Sequence, residues 1–274
     1  MTRILIYQFG TAIRLIWTGL IGWFLIPFNR RVRHQINDCG GILKNPFYAM
    51  RMPLSKLVGS ELVVTVGPLG ASEHNASEFE LLCLASLCAQ MRCRRVFEIG
   101  TYDGRSTRAL AMNVEPNGRV ITLNLPPGAD SNDVGESNVD TQLNQKVESG
   151  WRFKNTREEP HIEQMFGDSA NFDFSPFFGT ADMVFVDGSH TEAYVEKDTQ
   201  TALKLVKDSG GLVAWHDAPL YGVAPYLKKR KREEGWPLHL IRDTTLMIAW
   251  VKNGQFVELP LPLPENYPTE LLPS

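Results

Sequence analysis

Short apolar runs recur along the chain, and each stops at a polar residue or a glycine. Runs bounded in this way predict buried strands over residues 96–99, 120–125, 162–166, 183–186, 212–215, 238–241 and 246–251. Between several of them the pattern predicts helices, over about 78–91, 106–112, 192–207 and 222–234. Ser77-x-x-Glu80 is a capping box at the start of the first helix, and Gly210-Gly211 ends the third. A weaker signal at residues 62–66 predicts a further short strand before a turn at Gly67-Pro68. The last two main strands are joined across Arg242-Asp243-Thr244, a link short enough for an antiparallel pair.

Strands alternating with helices imply a doubly wound α/β domain. The expected sheet is Rossmann-like, seven-stranded and mostly parallel, with an antiparallel last strand. Residues 127–160 are polar and irregular, except that Val139, Leu143 and Val147 are spaced for a short helix. The rest of that stretch is either a cover over a site or an insertion without a role. The division expected is an apolar segment over 1–33, a connector over 34–76, the main domain over 77–256 and a proline-rich extended tail over 257–274.

Composition narrows the classes. A chain of 274 residues with 43% hydrophobic and 22% charged residues suits one sizeable globular domain with appendages. A net charge of −3 predicts no general affinity for nucleic acid. Cys83, Cys88 and Cys93 are spaced to share no helix face, and with Cys39 they match no zinc site, so buried thiols in a reducing compartment are expected. Residues 4–28 are strongly apolar, broken by Gln8 and Arg14 and followed by Arg30, Arg31 and Arg33. Three readings stay open for them: a membrane-seated anchor, an apolar helix on the domain or in a homo-oligomer interface, and a spanning helix. If the helix spans, the arginines place the main domain in the cytoplasm, at the membrane face. The basic run 228–232 is either a solvated face or a contact for anionic lipid.

Candidate chemistry gathers at the strand ends, where open α/β sheets carry their sites. The first five main strands end at Glu98 with Gly100, at Asn124, at Asp168-Ser169, at Asp187 and at His216-Asp217. Gly100 and Gly104 stand between a strand and a helix start, an arrangement suited to a nucleoside-like cofactor carrying negative charge. The Gly-x-Gly-x-x-Gly fingerprint is absent, which disfavours an NAD-dependent oxidoreductase.

Over residues 77–252 the sequence resembles the class I S-adenosylmethionine (SAM) methyltransferases. The motifs are Glu98-x-Gly100-x-x-x-Gly104-x-Ser106, then Asp187-Gly188-Ser189-His190 with Asp198 on the next helix, then Gly210-Gly211 followed by His216-Asp217. The likeness is to the bacterial branch whose fourth strand ends Asp-Gly-x-His and whose fifth ends His-Asp, similar to metal-dependent O-methyltransferases. The resemblance implies SAM as cofactor, with Gly100, Thr101, Gly104 and Ser106 around its methionine part and Glu98 at its amino end. Asn124 takes the ribose position, where a carboxylate is normal. Asp168 and Ser169 take the adenine position, and Asp187 borders the cofactor. It further implies a divalent metal, magnesium or manganese before zinc or iron, on Asp187, His216 and Asp217, His216 being either a ligand or only a partner of Asp217, with His190 as base. Asp198 either faces the helix surface or orients one of these groups. The acceptor implied is a hydroxyl on a sugar, a glycan or a small metabolite. Two alternatives remain: metal-independent transfer with His190 as base, and a non-catalytic membrane-seated binding protein of the same fold, which Asn124 keeps open.

Overall fold

The computed structural model describes residues 49–59, 61–70, 75–126, 148–220 and 222–265, all within the unit Tyr48–Ser274. The apolar segment 4–28, Cys39 and the helix expected around residues 139–147 lie outside the described residues. Among the described residues no helix is long and apolar enough to cross a membrane.

The strands are β1 (Met50–Met52), β2 (Arg95–Ile99), β3 (Arg119–Asn124), β4 (Ile162–Phe166), β5 (Met183–Val186), β6 (Gly211–Trp215), β7 (His239–Ile241), β8 (Met247–Lys252) and β9 (Gln255–Val257). The helices are α1 (Leu54–Leu57), α2 (Glu78–Gln90), α3 (Arg105–Ala111), α4 (Glu192–Leu205) and α5 (Val223–Glu234). The sheet order is β1-β7-β8-β6-β5-β2-β3-β4, with β9 on β8. Pairing is parallel except where β8 meets β6, β7 and β9.

Among the described residues the sheet therefore has nine strands rather than the seven expected. β1 is three residues long, too short to show a period, and it draws part of the expected connector into the sheet beside β7. β9 returns from β8 through Asn253-Gly254, both at positive φ, the tight hairpin such a pair favours. The strand expected at 62–66 is absent. There Thr65 pairs through its N–H and carbonyl with the Asn113 side chain (2.9 and 2.8 Å), not with a neighbouring strand.

Alternation along the strands feeds two cores. Val96, Met183 and Phe185 face α2 and α3 with Leu84, Leu87 and Leu110. Phe97, Val184 and Val186 face α4 and α5 with Val195, Leu205 and Leu227. A sheet covered on both faces explains the near-continuous apolar runs. Ser77 and Glu80 complete the capping box of α2 in both directions. The start of the proline-rich tail is not merely superficial. Leu259 and Leu263 are buried, and the Gln90 side chain donates to Leu263 O (2.9 Å) while accepting from Gly59 N (2.8 Å).

Candidate active site

All five expected polar strand ends lie at the carboxyl edge of adjacent parallel strands β6, β5, β2, β3 and β4. The turn after β2 is built around Gly100 (φ 102°) and Gly104 (φ 86°), which any side chain would strain. A β-carbon on Gly100 would lie 2.0 Å from Asp187 O, and one on Gly104 would lie 2.6 Å from the Phe153 ring. Close packing by the protein itself thus requires both glycines. Gly100 joins the turn to the β5 end. Phe153 belongs to a strap over the turn, in which Gly150 N donates to Tyr102 O (2.9 Å) and Arg152 pairs with the buried Asp103 (2.6 Å).

The polar groups of the turn are largely turned inward. The Glu98 carboxylate is fully buried and accepts from the hydroxyls of Ser106 (2.6 Å), Thr107 (2.5 Å) and Thr122 (2.7 Å). Burial pushes its pKa up to about 7, against the pull of those hydroxyls. Thr101 is buried, its hydroxyl 2.7 Å from that of Thr122. Asn124 accepts from Thr101 N and Tyr102 N (3.2 Å each) and donates to Leu125 O. Asp168 closes an Asx turn on Ala170 N (2.9 Å) and accepts from Tyr194 OH (3.0 Å). Asn124, Asp168 and Ser169 are nevertheless only half-buried.

The ends of β5 and β6 bring four expected residues together. His216 Nδ1 lies 3.1 Å from Asp187 Oδ1 and 3.7 Å from Asp217 Oδ2. His190 Nε2 lies 3.3 Å from Asp217 Oδ2. Asp187, His190 and Asp217 are about one-fifth exposed, whereas His216 is buried. Gly222 N donates to His190 O (2.9 Å) and so ties the loop after β5 to the start of α5. Asp217 adopts positive φ (50°), and its N–H is held by the Thr245 hydroxyl (3.2 Å). Burial opposes its charge, but His190 and His216 outweigh that and hold its pKa below the ordinary value.

Sequence reasoning missed Glu80 as a member of this group. Its carboxylate accepts from Thr245 N (2.7 Å) and the Thr245 hydroxyl (2.8 Å), and it faces His216 Nε2 at 3.5 Å. The capping box gave Glu80 a complete explanation, and no signal in the sequence pointed beyond it. Asp198 does not face the helix surface. It is wholly buried behind Gly188, with neither oxygen in a well-formed hydrogen bond.

Asp187, His216 and Asp217, on which the resemblance implies a divalent metal, converge at the ends of β5 and β6. Glu80 faces His216 Nε2, the outer contact that a ligand histidine commonly has, while Nδ1 faces Asp187 and Asp217. Among the described residues no group of three or more His, Cys, Asp or Glu is arranged to hold an ion.

Residues 97–218 match the profile of a methyltransferase domain family. No curated protein matches the chain in sequence. Among solved structures, it is similar to an O-methyltransferase from Bacillus cereus in complex with S-adenosylhomocysteine (SAH). The identity is 17% and the TM-score 0.47, over 66% of this chain and 84% of that one. It is also similar to TomG, an O-methyltransferase from Streptomyces achromogenes in complex with SAM, at 20% identity, TM-score 0.46, and 65% and 81% coverage. A third is the SAH-bound methyltransferase PaMTH1 of Podospora anserina, at 15% identity, TM-score 0.46, and 65% and 79% coverage. At such identities these likenesses carry no residue assignment. The profile match coincides with the strand-end site: the stretch from residue 97 to residue 218, a little under half of the chain, matches a methyltransferase domain.

Proposed function

We propose that the chain methylates a hydroxyl group, with His190 as the general base and Asp217 as the group that orients it. The observation that carries this reading is the 3.3 Å contact between His190 Nε2 and Asp217 Oδ2, both partly exposed at the carboxyl edge of the sheet. A carboxylate facing Nε2 favours the tautomer that holds its proton there, which leaves the basic lone pair on Nδ1. An unperturbed imidazole pKa of about 6.5 suits proton acceptance near neutral pH. Asp217 then stabilises the imidazolium that forms.

SAM, when bound, supplies an electrophilic methyl group. Its adenosyl part is assigned to the crevice by Asn124, Asp168 and Ser169, and its sulfonium side to the region between Gly100 and Asp187. Glu98, Thr101, Gly104 and Ser106 support the turn from beneath rather than reaching into the crevice, since their groups are buried and engaged. No step is assigned to a divalent metal. The acceptor class carried forward is a hydroxyl of a sugar, a glycan or another small metabolite. The apolar residues 4–28 with the arginines after them support seating the domain at the cytoplasmic face of a membrane.

A calorimetric titration of the full chain with SAM, SAH and NADH tests this reading. Binding of the adenosyl ligands and not NADH is expected, and His190→Ala should keep that binding while abolishing SAH formation with an acceptor. Failure of both adenosyl ligands to bind would overturn it and favour the non-catalytic alternative, because the Asn124 amide already serves Thr101 and Tyr102.

A further inference from the structure

Asp198 is wholly buried on α4, and neither of its carboxylate oxygens makes a well-formed hydrogen bond. A buried acid in that position is costly, so a donor within reach is drawn to it. Oδ2 backs onto the loop after β5: a β-carbon on Gly188 would lie 3.2 Å from it. On its other side lies the loop after β4. There the Ser169 hydroxyl is the donor that offsets burial, through a contact looser than a formed hydrogen bond, and Asp168 adds a repelling charge. Asp198 thus lies beneath both loops that border the proposed adenosyl place.

Tyr194, one turn earlier on the same face of α4, accounts for Asp168. Its hydroxyl donates to Asp168 Oδ1 (3.0 Å), which also accepts from Ala170 N (2.9 Å). Asn171 Nδ2 donates to Oδ2 (3.0 Å). Three donors of the protein itself therefore occupy most of the acceptor capacity of Asp168. Ser169, half-buried beside it, carries the other side-chain oxygen at this strand end.

We propose that Asp198 fixes the direction of the Ser169 hydroxyl and thereby makes the site selective for a purine with a 6-amino group. A serine hydroxyl has one proton and two lone pairs. With the proton drawn inward to Asp198, only lone pairs face outward. They accept from the N–H of an adenine amino group and repel the carbonyl oxygen of a 6-oxo purine. Asp198 is accordingly a positioning residue: it touches no ligand atom and acts through Ser169. This inference rests on reading Asp168-Ser169 as the adenine end of the SAM site.

The test is calorimetric titration of the full chain with SAH and with S-inosylhomocysteine, its 6-oxo counterpart, at pH 8.5. At that pH Asp198, its pKa pushed up to about 7 by burial, carries its charge. SAH is expected to bind roughly tenfold more tightly or better, since one hydrogen bond is exchanged for a repulsion. Equal affinities would overturn the proposal. In folded Asp198→Leu the hydroxyl is free to turn, and the preference should shrink to within about threefold; an undiminished preference would remove Asp198 from this role. Ser169→Ala should weaken SAH and leave the S-inosylhomocysteine affinity unchanged, a split that general damage to the fold does not produce. Equal weakening of both would also count against the proposal. A measurement without ligand stands beside these. Carbon NMR of carboxyl-labelled aspartate, with the Asp198 signal identified by its loss in Asp198→Leu, follows the titration of that group. Ser169→Ala should raise its midpoint, and an unchanged midpoint would overturn the link between the two residues. Binding of neither ligand would sink the methyltransferase reading and the selectivity with it, while a raised midpoint would leave the link standing.

Discussion

The carbonyl oxygen of Asp187 stands 2.0 Å from where a β-carbon on Gly100 would be, so the strand bearing the cofactor turn and the strand bearing the acid cluster touch backbone to backbone. Gly100→Ala would force that contact apart at a φ of 102° that alanine rarely adopts. A loss of roughly 3 kcal/mol or more is expected, in the range of substitutions that combine strain with a clash. Urea denaturation measures it. A midpoint close to that of the wild type would mean that the two strand ends separate easily.

The second prediction concerns pH. Burial pushes the pKa of Asp198 up to about 7 from its ordinary 3.8; the Asp168 charge adds to this, and Ser169 offsets part of it. Because the folded value is the higher one, the native state binds more protons than the unfolded chain between these values. Stability is then lost as pH rises from about 4 to about 7. Asp198→Asn should flatten this fall and stabilise the chain at pH 8 by roughly 2–4 kcal/mol, at about 1.4 kcal/mol per pKa unit. Thermal unfolding of both proteins at pH 5 and pH 8 decides it, and equal pH slopes would refute it.

Phe153 is buried against Gly104 and anchors the strap over the turn. Phe153→Ala is expected to cost about 3 kcal/mol through the cavity left behind. It should also speed proteolytic cleavage within residues 148–158. Unaltered cleavage would show that the Arg152–Asp103 and Arg108–Glu158 pairs hold the strap unaided.

Asp217→Asn keeps the shape of the pair but removes the charge that selects the His190 tautomer. Methyl transfer to an acceptor should slow by roughly 10²-fold or more, as for other disabled general bases, while SAH affinity stays within about twofold. Rates near those of the wild type would transfer the role of base to another group.

The strands and their polar ends were legible because a sheet covered on both faces writes itself as unbroken apolar runs. Other features followed from periodicity that was present but unused. Alternation from Val96 puts Glu98 on the face beneath α3, and Val195, Asp198, Ala202 and Leu205 share one helical stripe, which buries Asp198. The Asn253-Gly254 pair signalled the hairpin that creates β9. Glu80 was illegible in a different way. Its link to Thr245 crosses most of the domain, and a local role at the α2 cap already accounted for it. The spacing of Asp187, His216 and Asp217 is silent in the same way about a third carboxylate, that of Glu80, on the far side of the histidine ring.

The amide of Gln90 grips Gly59 with its oxygen and Leu263 with its nitrogen, and Leu263 N also reaches Leu57 O (2.9 Å). The two ends of the folded unit thus meet at one side chain, and the polypeptide between them is very nearly a ring. Its order of synthesis is then separable from its architecture. A circular permutant that joins the unit behind Leu263 to the unit before Leu57, and opens it at an exposed turn such as Asn253-Gly254, should assemble the same sheet.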